Sequence, residues 1–197
     1  MNLLCIASNN LDKVSEIQSI LGNLVQLITL KEINCFEELP ETRPTLEGNS
    51  LQKAEFVFQK YKVPCFADDT GLEVEALNGE PGVFSARYAG EHKNSDDNID
   101  LLLNKLGTKL NRRARFRTVI TLLGLEEDPL YFEGVVEGTI TNKRKGTFGF
   151  GYDPVFIPDG YKKTYAEMNL QEKSSLSHRA LAVKKLGEYL RNRIISR

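Results

Sequence analysis

The chain has 197 residues and a formal net charge of -1, from 26 Lys+Arg against 27 Asp+Glu. Its hydrophobic content of 41% and charged content of 27% are those of a globular protein, which excludes a disordered chain. The charge balance argues against a strongly basic nucleic-acid binder, and the length fits one domain or two closely packed lobes.

Leu3–Ala7 is apolar but far too short to span a bilayer, and it lacks the flanks of a signal peptide. No membrane role and a cytoplasmic location are therefore expected. Cys5, Cys35 and Cys65 cannot all pair within one chain and show no CxxC spacing, which points to reduced, mostly buried thiols.

In chain order, Leu3–Ala7 reads as a buried strand broken by Ser8-Asn9-Asn10. A helix follows with Val14, Ile17, Ile20 and Leu21 on one face and Gly22 as its stop. Val25–Leu30 is a second strand, and the acidic, proline-bearing stretch Glu37–Gly48 is a loop. The next helix carries Leu51, Ala54, Phe58 and Tyr61. Cys65-Phe66-Ala67 is a short strand running into Asp68-Asp69-Thr70-Gly71, and Asn78–Gly82 is turn chemistry. Ser95 is the expected N-cap of a helix through Leu106. Ala114–Leu123 and Leu130–Gly138 form a strand pair, Val155–Ile157 is a short strand, and the last helix starts near Ser177 and buries Ala180, Val183, Leu186 and Leu190. Strands and helices intermingle, so the class is α/β or mixed α+β.

Four segments carry candidate chemistry. Ser8–Lys13 lies where a strand meets a helix, and N–H groups there favour an anion, although Asn10 or Asp12 in a simple cap would look the same. Asp68-Asp69 at a strand end suits a hard cation such as Mg²⁺ and a base for water, or else a turn; Glu41 is a further candidate ligand. Gly146–Pro154 alternates glycines with Phe148, Phe150 and Tyr152, fit either for stacking on a planar ring or for a β-bulge. His178 and Arg179 open the last helix, where positive charge opposes the dipole, so they either meet an electron-rich partner or are solvated. The Arg112–Arg117 cluster and Lys143-Arg144-Lys145 read as solvated faces, with Arg113, Arg115 and Arg117 as a stripe that would repel edge pairing.

These pieces, with Asn78–Gly90 and the run from Ala166 through Lys173 to Arg179, stand in an order and spacing that resembles the inosine triphosphate pyrophosphatase family, the XTP/dITP diphosphatases. The resemblance covers nearly the whole chain. It implies one pyrophosphatase domain over 1–197, an elongated central mixed sheet flanked by helices, two lobes around a nucleotide cleft, and a homodimer. The implied reaction is Mg²⁺-dependent hydrolysis of ITP, dITP or XTP to the monophosphate and pyrophosphate, keeping deaminated purines out of DNA and RNA.

Carried over by motif, Ser8, Asn9, Asn10, Leu11, Asp12 and Lys13 hold the triphosphate, with Lys53 as a second phosphate lysine. Glu41 and Asp69 serve the metal, and Asp69, beside Asp68, is the base for water. Thr70 joins the substrate site. Phe150, Gly151 and Tyr152 serve the base, Asp153 and Lys173 the nucleoside end, and Ser177, His178 and Arg179 the purine edge. Arg43 and Gly48 depart from the family's usual Gly and Glu, and Ser174 stands where Asn is frequent. Two rival classes are a nucleotide-binding regulator without turnover and an RNA-binding module built on the arginine stripe.

Overall fold

The computed structural model describes residues 3–195. Among them, seven strands join one sheet in the order β2-β1-β3-β5-β6-β7, with β4 pairing β3. The strands are β1 (Leu3–Ile6), β2 (Gln26–Thr29), β3 (Cys65–Val74), β4 (Pro81–Gly82), β5 (Arg113–Leu123), β6 (Leu130–Ile140) and β7 (Phe156–Pro158). β1 runs parallel to β2 and β3, whereas β3–β4 and β6–β7 are antiparallel, so the sheet is mixed as expected. The helices are α1 (Leu11–Leu21), α2 (Leu46–Tyr61), α3 (Ser95–Leu106), α4 (Leu170–Leu176) and α5 (His178–Ile195). None of the described helices is long and apolar enough to cross a membrane.

The chain divides into two compact units. The first comprises the residues up to Asp69, Thr118–Gly134 and the chain from Arg179 onward; the second comprises Thr70–Arg117 and Val135–His178. In the first unit, β1 and β3 are covered on both faces. Leu4, Ile6 and Phe66 pack with Ile17 and Leu21 of α1 and with Val183 and Leu186 of α5. Cys5, Ala7, Cys65 and Ala67 pack on the other side with Ala54 and Val57 of α2. Burial on both faces is why these short strands read as unbroken apolar runs. All three cysteines are free and buried, and burial pushes the Cys5 and Cys65 thiols up to about 12, which keeps them inert. In the second unit, Ile99, Leu102 and Leu106 of α3 pack on Leu72, Val74, Phe116 and Phe156.

Several expectations change. Asp68-Asp69-Thr70-Gly71 is not a turn; it lies inside the ten residues of β3. α2 begins at Leu46, so Glu47 and Gly48 belong to its first turn. Its buried face runs through Leu46, Asn49, Ser50, Lys53, Ala54 and Val57, while Leu51, Phe58 and Tyr61 are half-buried. Apolar spacing found Ala54 and the core-packed Phe58 and Tyr61 but missed Asn49, Ser50 and Lys53, because half of the buried face is polar. Asn94, not Ser95, caps α3, accepting from the N–H groups of Asp96 and Asp97. Residues 170–176 form a separate helix capped by Asn169. The glycine-rich segment is irregular chain, not a bulged strand.

The arginine stripe lies on β5, between β3 and β6, so it guards no edge. Arg113 makes a two-pronged pair with Asp159 at 2.7 and 2.9 Å, and Arg115 meets Glu73 at 2.6 Å. Arg112 donates to the carbonyls of Ile140 and Thr141. The side chains of Arg113 and Arg115 stay 41% and 46% exposed, as a solvated face predicts, but each is paired with an acid of the second unit.

Gly71 shows why the strand motif ends in glycine. A Cβ there would lie 2.7 Å from the Gly82 carbonyl oxygen on β4. Gly71→Ala should lower stability by about 1–3 kcal/mol through overpacking against backbone. Urea unfolding checks it, as a lower midpoint at unchanged slope.

Candidate active site

In a strand, successive side chains face opposite ways. Phe66 faces α1 and α5, so Asp68 follows it to that side; Ala67 faces α2, so Asp69 follows it there. The ion pairs obey this parity. Asp68 Oδ2 lies 2.9 Å from Lys13 Nζ of α1 and 3.5 Å from Arg179 Nε of α5. Asp69 Oδ1 accepts from Lys53 Nζ of α2 at 3.3 Å, and the same ammonium donates to Glu41 Oε1 at 2.5 Å. The adjacent acids therefore form their nearest ion pairs on opposite faces of β3, although each also feels the other's lysine.

Burial alone would raise the Asp68 carboxyl, but Lys13 and Arg179 more than offset it and hold it well below the ordinary carboxylate range. For Asp69 burial prevails over Lys53 and the net direction is upward, with Glu41 adding to it. Burial would lower the Lys53 ammonium, yet Asp69 and Glu41 keep it above its usual value and charged. Asp69 Oδ2 is buried and has no hydrogen-bond partner among the described residues. A carboxylate of raised basicity with one open oxygen can take a proton from water.

The remaining candidates of the first unit lie at the start of α1. Asn10 caps α1, its Oδ1 accepting from the Lys13 N–H at 3.1 Å. Ser8 Oγ accepts from the Asn10 N–H, and Asn9 Nδ2 donates to the Glu37 carbonyl. Asp12 and Leu11 are exposed in the first turn of α1. Lys13 is not solvated, as a simple capping role would leave it; its side chain is 16% exposed and tied to Asp68.

The second unit gathers the remaining candidates. Asp153 is a buried hub whose Oδ2 accepts from the Phe150 N–H at 2.9 Å and from Lys173 Nζ at 2.7 Å. Gly149 permits this, because a Cβ there would lie 2.1 Å from that oxygen. The Lys173 ammonium sits 4.8 Å from the Phe150 ring centroid, a cation–π distance. Tyr152 packs in the apolar core with its hydroxyl donated to the Ser85 carbonyl, while Phe150 and Gly151 stay half-buried. Ser177 ends α4 and is buried. The His178 ring stacks on Phe116 at 4.6 Å, so it is not solvated. Thr70 is half-buried on β3.

Sequence reasoning missed Glu16, which is buried on α1 and pairs with Arg179. Its signal was there to read: an acid within the apolar stripe, one turn after Lys13 and one before Ile20. It anchors the Arg179 guanidinium from a second side. The departures at Arg43 and Gly48 also meet: a Cβ on Gly48 would lie 2.7 Å from the Arg43 Cβ.

Removing one partner of a buried ion pair leaves the other charge uncompensated, at about 3–5 kcal/mol. Asp68→Asn should lose stability on that scale at pH 7. The folded pKa is depressed, so the contribution is complete above the unfolded value of about 3.9 and fades as pH falls through the lower folded one. Urea midpoints should differ by a constant amount from pH 8 to 5 and converge below pH 4.

The comparisons with known proteins bear on the chain as a whole. The model of the Ham1 family matches residues 4–189. A Flavobacterium johnsoniae protein named dITP/XTP pyrophosphatase is 54% identical over 95% of this chain and 97% of its own. One of that name from Porphyromonas gingivalis is 52% identical over 96% and 98%. Among solved structures, the Staphylococcus aureus Ham1 protein superposes with a TM-score of 0.89 at 40% identity, covering 98% of this chain and 100% of its own. A Coxiella burnetii HAM1 protein gives 0.89 at 36%, covering 96% and 98%. With its motifs, its mixed fold and full-length relatives in agreement, the chain belongs to the Ham1 family.

Proposed function

We propose that this chain hydrolyses deaminated purine nucleoside triphosphates (XTP, ITP and dITP) to the monophosphate and pyrophosphate, keeping them out of DNA and RNA. One observation carries the reading: β3 holds two adjacent aspartates, each fixing a lysine from a different helix, Lys13 from α1 and Lys53 from α2. Lys13 in the first turn of α1, with Lys53 as a second ammonium, suits a polyanion. The names of the relatives support the same substrate class.

In this reading Lys13, Lys53 and the residues Ser8–Asp12 bind the triphosphate. Asp69 orients the attacking water and takes its proton through its carboxylate as the water attacks the α-phosphorus in line and pyrophosphate leaves. Glu41 and Asp69 are hard oxygen donors, and the buried, unpartnered Oδ2 fits a divalent cation, which we take to be Mg²⁺. Among the described residues no three acidic, His or Cys groups form a ready cage, so phosphate oxygens and water would complete the shell. Bound there, Mg²⁺ would neutralise triphosphate charge and favour the leaving pyrophosphate.

Phe150, Gly151, Tyr152, Asp153, Lys173, Ser177 and His178 serve the nucleoside. In this reading Phe150 flanks the base with Lys173 against its ring, whereas Asp153 and Tyr152 hold the segment in place from within. Hypoxanthine and xanthine present a 6-keto acceptor where adenine presents an amino donor. Donors from His178 and Arg179 pair with the first and are left unpaired by the second. The whole chain, 1–197, is taken as one pyrophosphatase domain acting in the cytoplasm as a homodimer, with no nucleic-acid partner.

The deciding assay is pyrophosphate release from ITP, dITP, XTP, GTP and ATP, with and without Mg²⁺. Release from the deaminated nucleotides is expected only with the metal, and no release from any substrate would overturn the reading. Asp69→Asn should lower kcat by about 10²–10⁴-fold at saturating Mg²⁺; a near wild-type kcat removes Asp69 from the chemistry.

Arg179→Lys keeps a charge for Asp68 and Glu16 but loses the planar fork. The ITP-over-ATP ratio in kcat/KM should fall by about tenfold or more. An unchanged ratio moves base reading elsewhere.

A further inference from the structure

The segment carrying Glu41 is fastened along α2, residue by residue and antiparallel to it. Thr45 Oγ1 accepts from the Gly48 N–H at 3.0 Å. Asn49 Oδ1 accepts from the Arg43 N–H at 2.8 Å. Gln52 and Thr42 bond reciprocally: Gln52 Oε1 accepts the Thr42 N–H and Gln52 Nε2 donates to Thr42 Oγ1, both at 2.9 Å. Lys53 then reaches Glu41, and beyond it Lys60 and Tyr61 hold the Glu37 carboxylate. Gly48 completes the set, because a side chain there would collide with the Arg43 Cβ and lift the segment.

The fasteners flank Glu41 closely. Gln52 precedes Lys53 on the helix, and Thr42 follows Glu41 on the strap. A carboxylate on a loop must be ordered before it can serve a ligand, and ordering costs conformational entropy. A strap held in register from both sides of Glu41 has met that cost on folding.

We propose that Gln52 and Asn49, with Gly48, are positioning residues that fix Glu41 for a divalent cation. This rests on the reading of Glu41 as a cation ligand. Partners that orient a ligand typically change metal affinity by about 10–100-fold when removed. Gln52 is half-buried, so its truncation leaves the core intact.

The test is direct binding of Mn²⁺ to the nucleotide-free enzyme, read by electron paramagnetic resonance. Gln52→Ala should weaken Mn²⁺ binding about tenfold, with kcat at saturating Mg²⁺ within about threefold of wild type. Gly48→Ala should weaken it as well without deleting any hydrogen bond donor or acceptor. Adding Arg43→Gly to that variant removes the colliding Cβ and should restore affinity. Glu41→Gln is the control on the underlying reading. If it weakens Mn²⁺ binding while Gln52→Ala and Gly48→Ala bind as wild type, the strap is not a positioning device and Glu41 remains a ligand. If Glu41→Gln itself binds Mn²⁺ as wild type, the ligand reading fails and this inference falls with it.

Discussion

The alternation of side chains along β3 is the constraint on which the charged site depends. Phe66 and Asp68 share one face, and Cys65, Ala67 and Asp69 share the other. The same parity that packs Phe66 against α1 and α5 sends the Asp68 carboxylate to Lys13 and Arg179. The parity that packs Ala67 against α2 sends Asp69 to Lys53. A one-residue slip in register would exchange every one of these partners. Core packing and charge placement are thus one decision, made by the pairing of Cys5 with Cys65 and Ile6 with Phe66 in neighbouring strands.

Both clusters are buried, which is expensive for charge unless partners compensate it. Their outcomes differ. Asp68 has two cations around it and stays a low-pKa carboxylate, suited to holding Lys13 and Arg179 in place. Asp69 pairs with Lys53, which it shares with Glu41, and burial outweighs the pull of Lys53 and Lys13, so its carboxyl rises. The two neighbouring carboxyls are thus pushed in opposite directions by their surroundings. In the second unit, Asp153 takes the structural part again, spending its Oδ2 on the Phe150 N–H and on Lys173.

Much of this was legible in the chain. The strand–cap–helix junction at Ser8–Lys13, the end of α1 at Gly22, and the buried face of α5 through Ala180, Val183, Leu186 and Leu190 follow from local patterning. So did the choice of Lys13, Asp68 and Asp69, whereas Lys53 and the roles of all four came from the resemblance. The N-cap of α3 was missed by one residue, since Asn94 and Ser95 are both competent caps and only the backbone dihedral chooses. Glu16 was missed because a lone acid on an apolar face has no local partner to reveal it; Arg179 is 163 residues away in sequence.

The sequence by itself determined the mixed class, the order of elements and the inventory of charges, because apolar periodicity, caps and breakers act over a few residues. Tertiary structure alone decided that Asp68-Asp69 lies within a strand, and hence that the two acids part company to opposite faces. It also turned Asn49, Gln52 and Gly48 into fasteners of the Glu41 strap, and placed the arginine stripe on an inner strand with acids beside it. Each of these depends on what packs against a residue from far along the chain, and no local pattern records that. The formal charge of -1 therefore conceals a strongly charged centre. Its cations and anions cancel in the sum because strand parity sets them against each other in space.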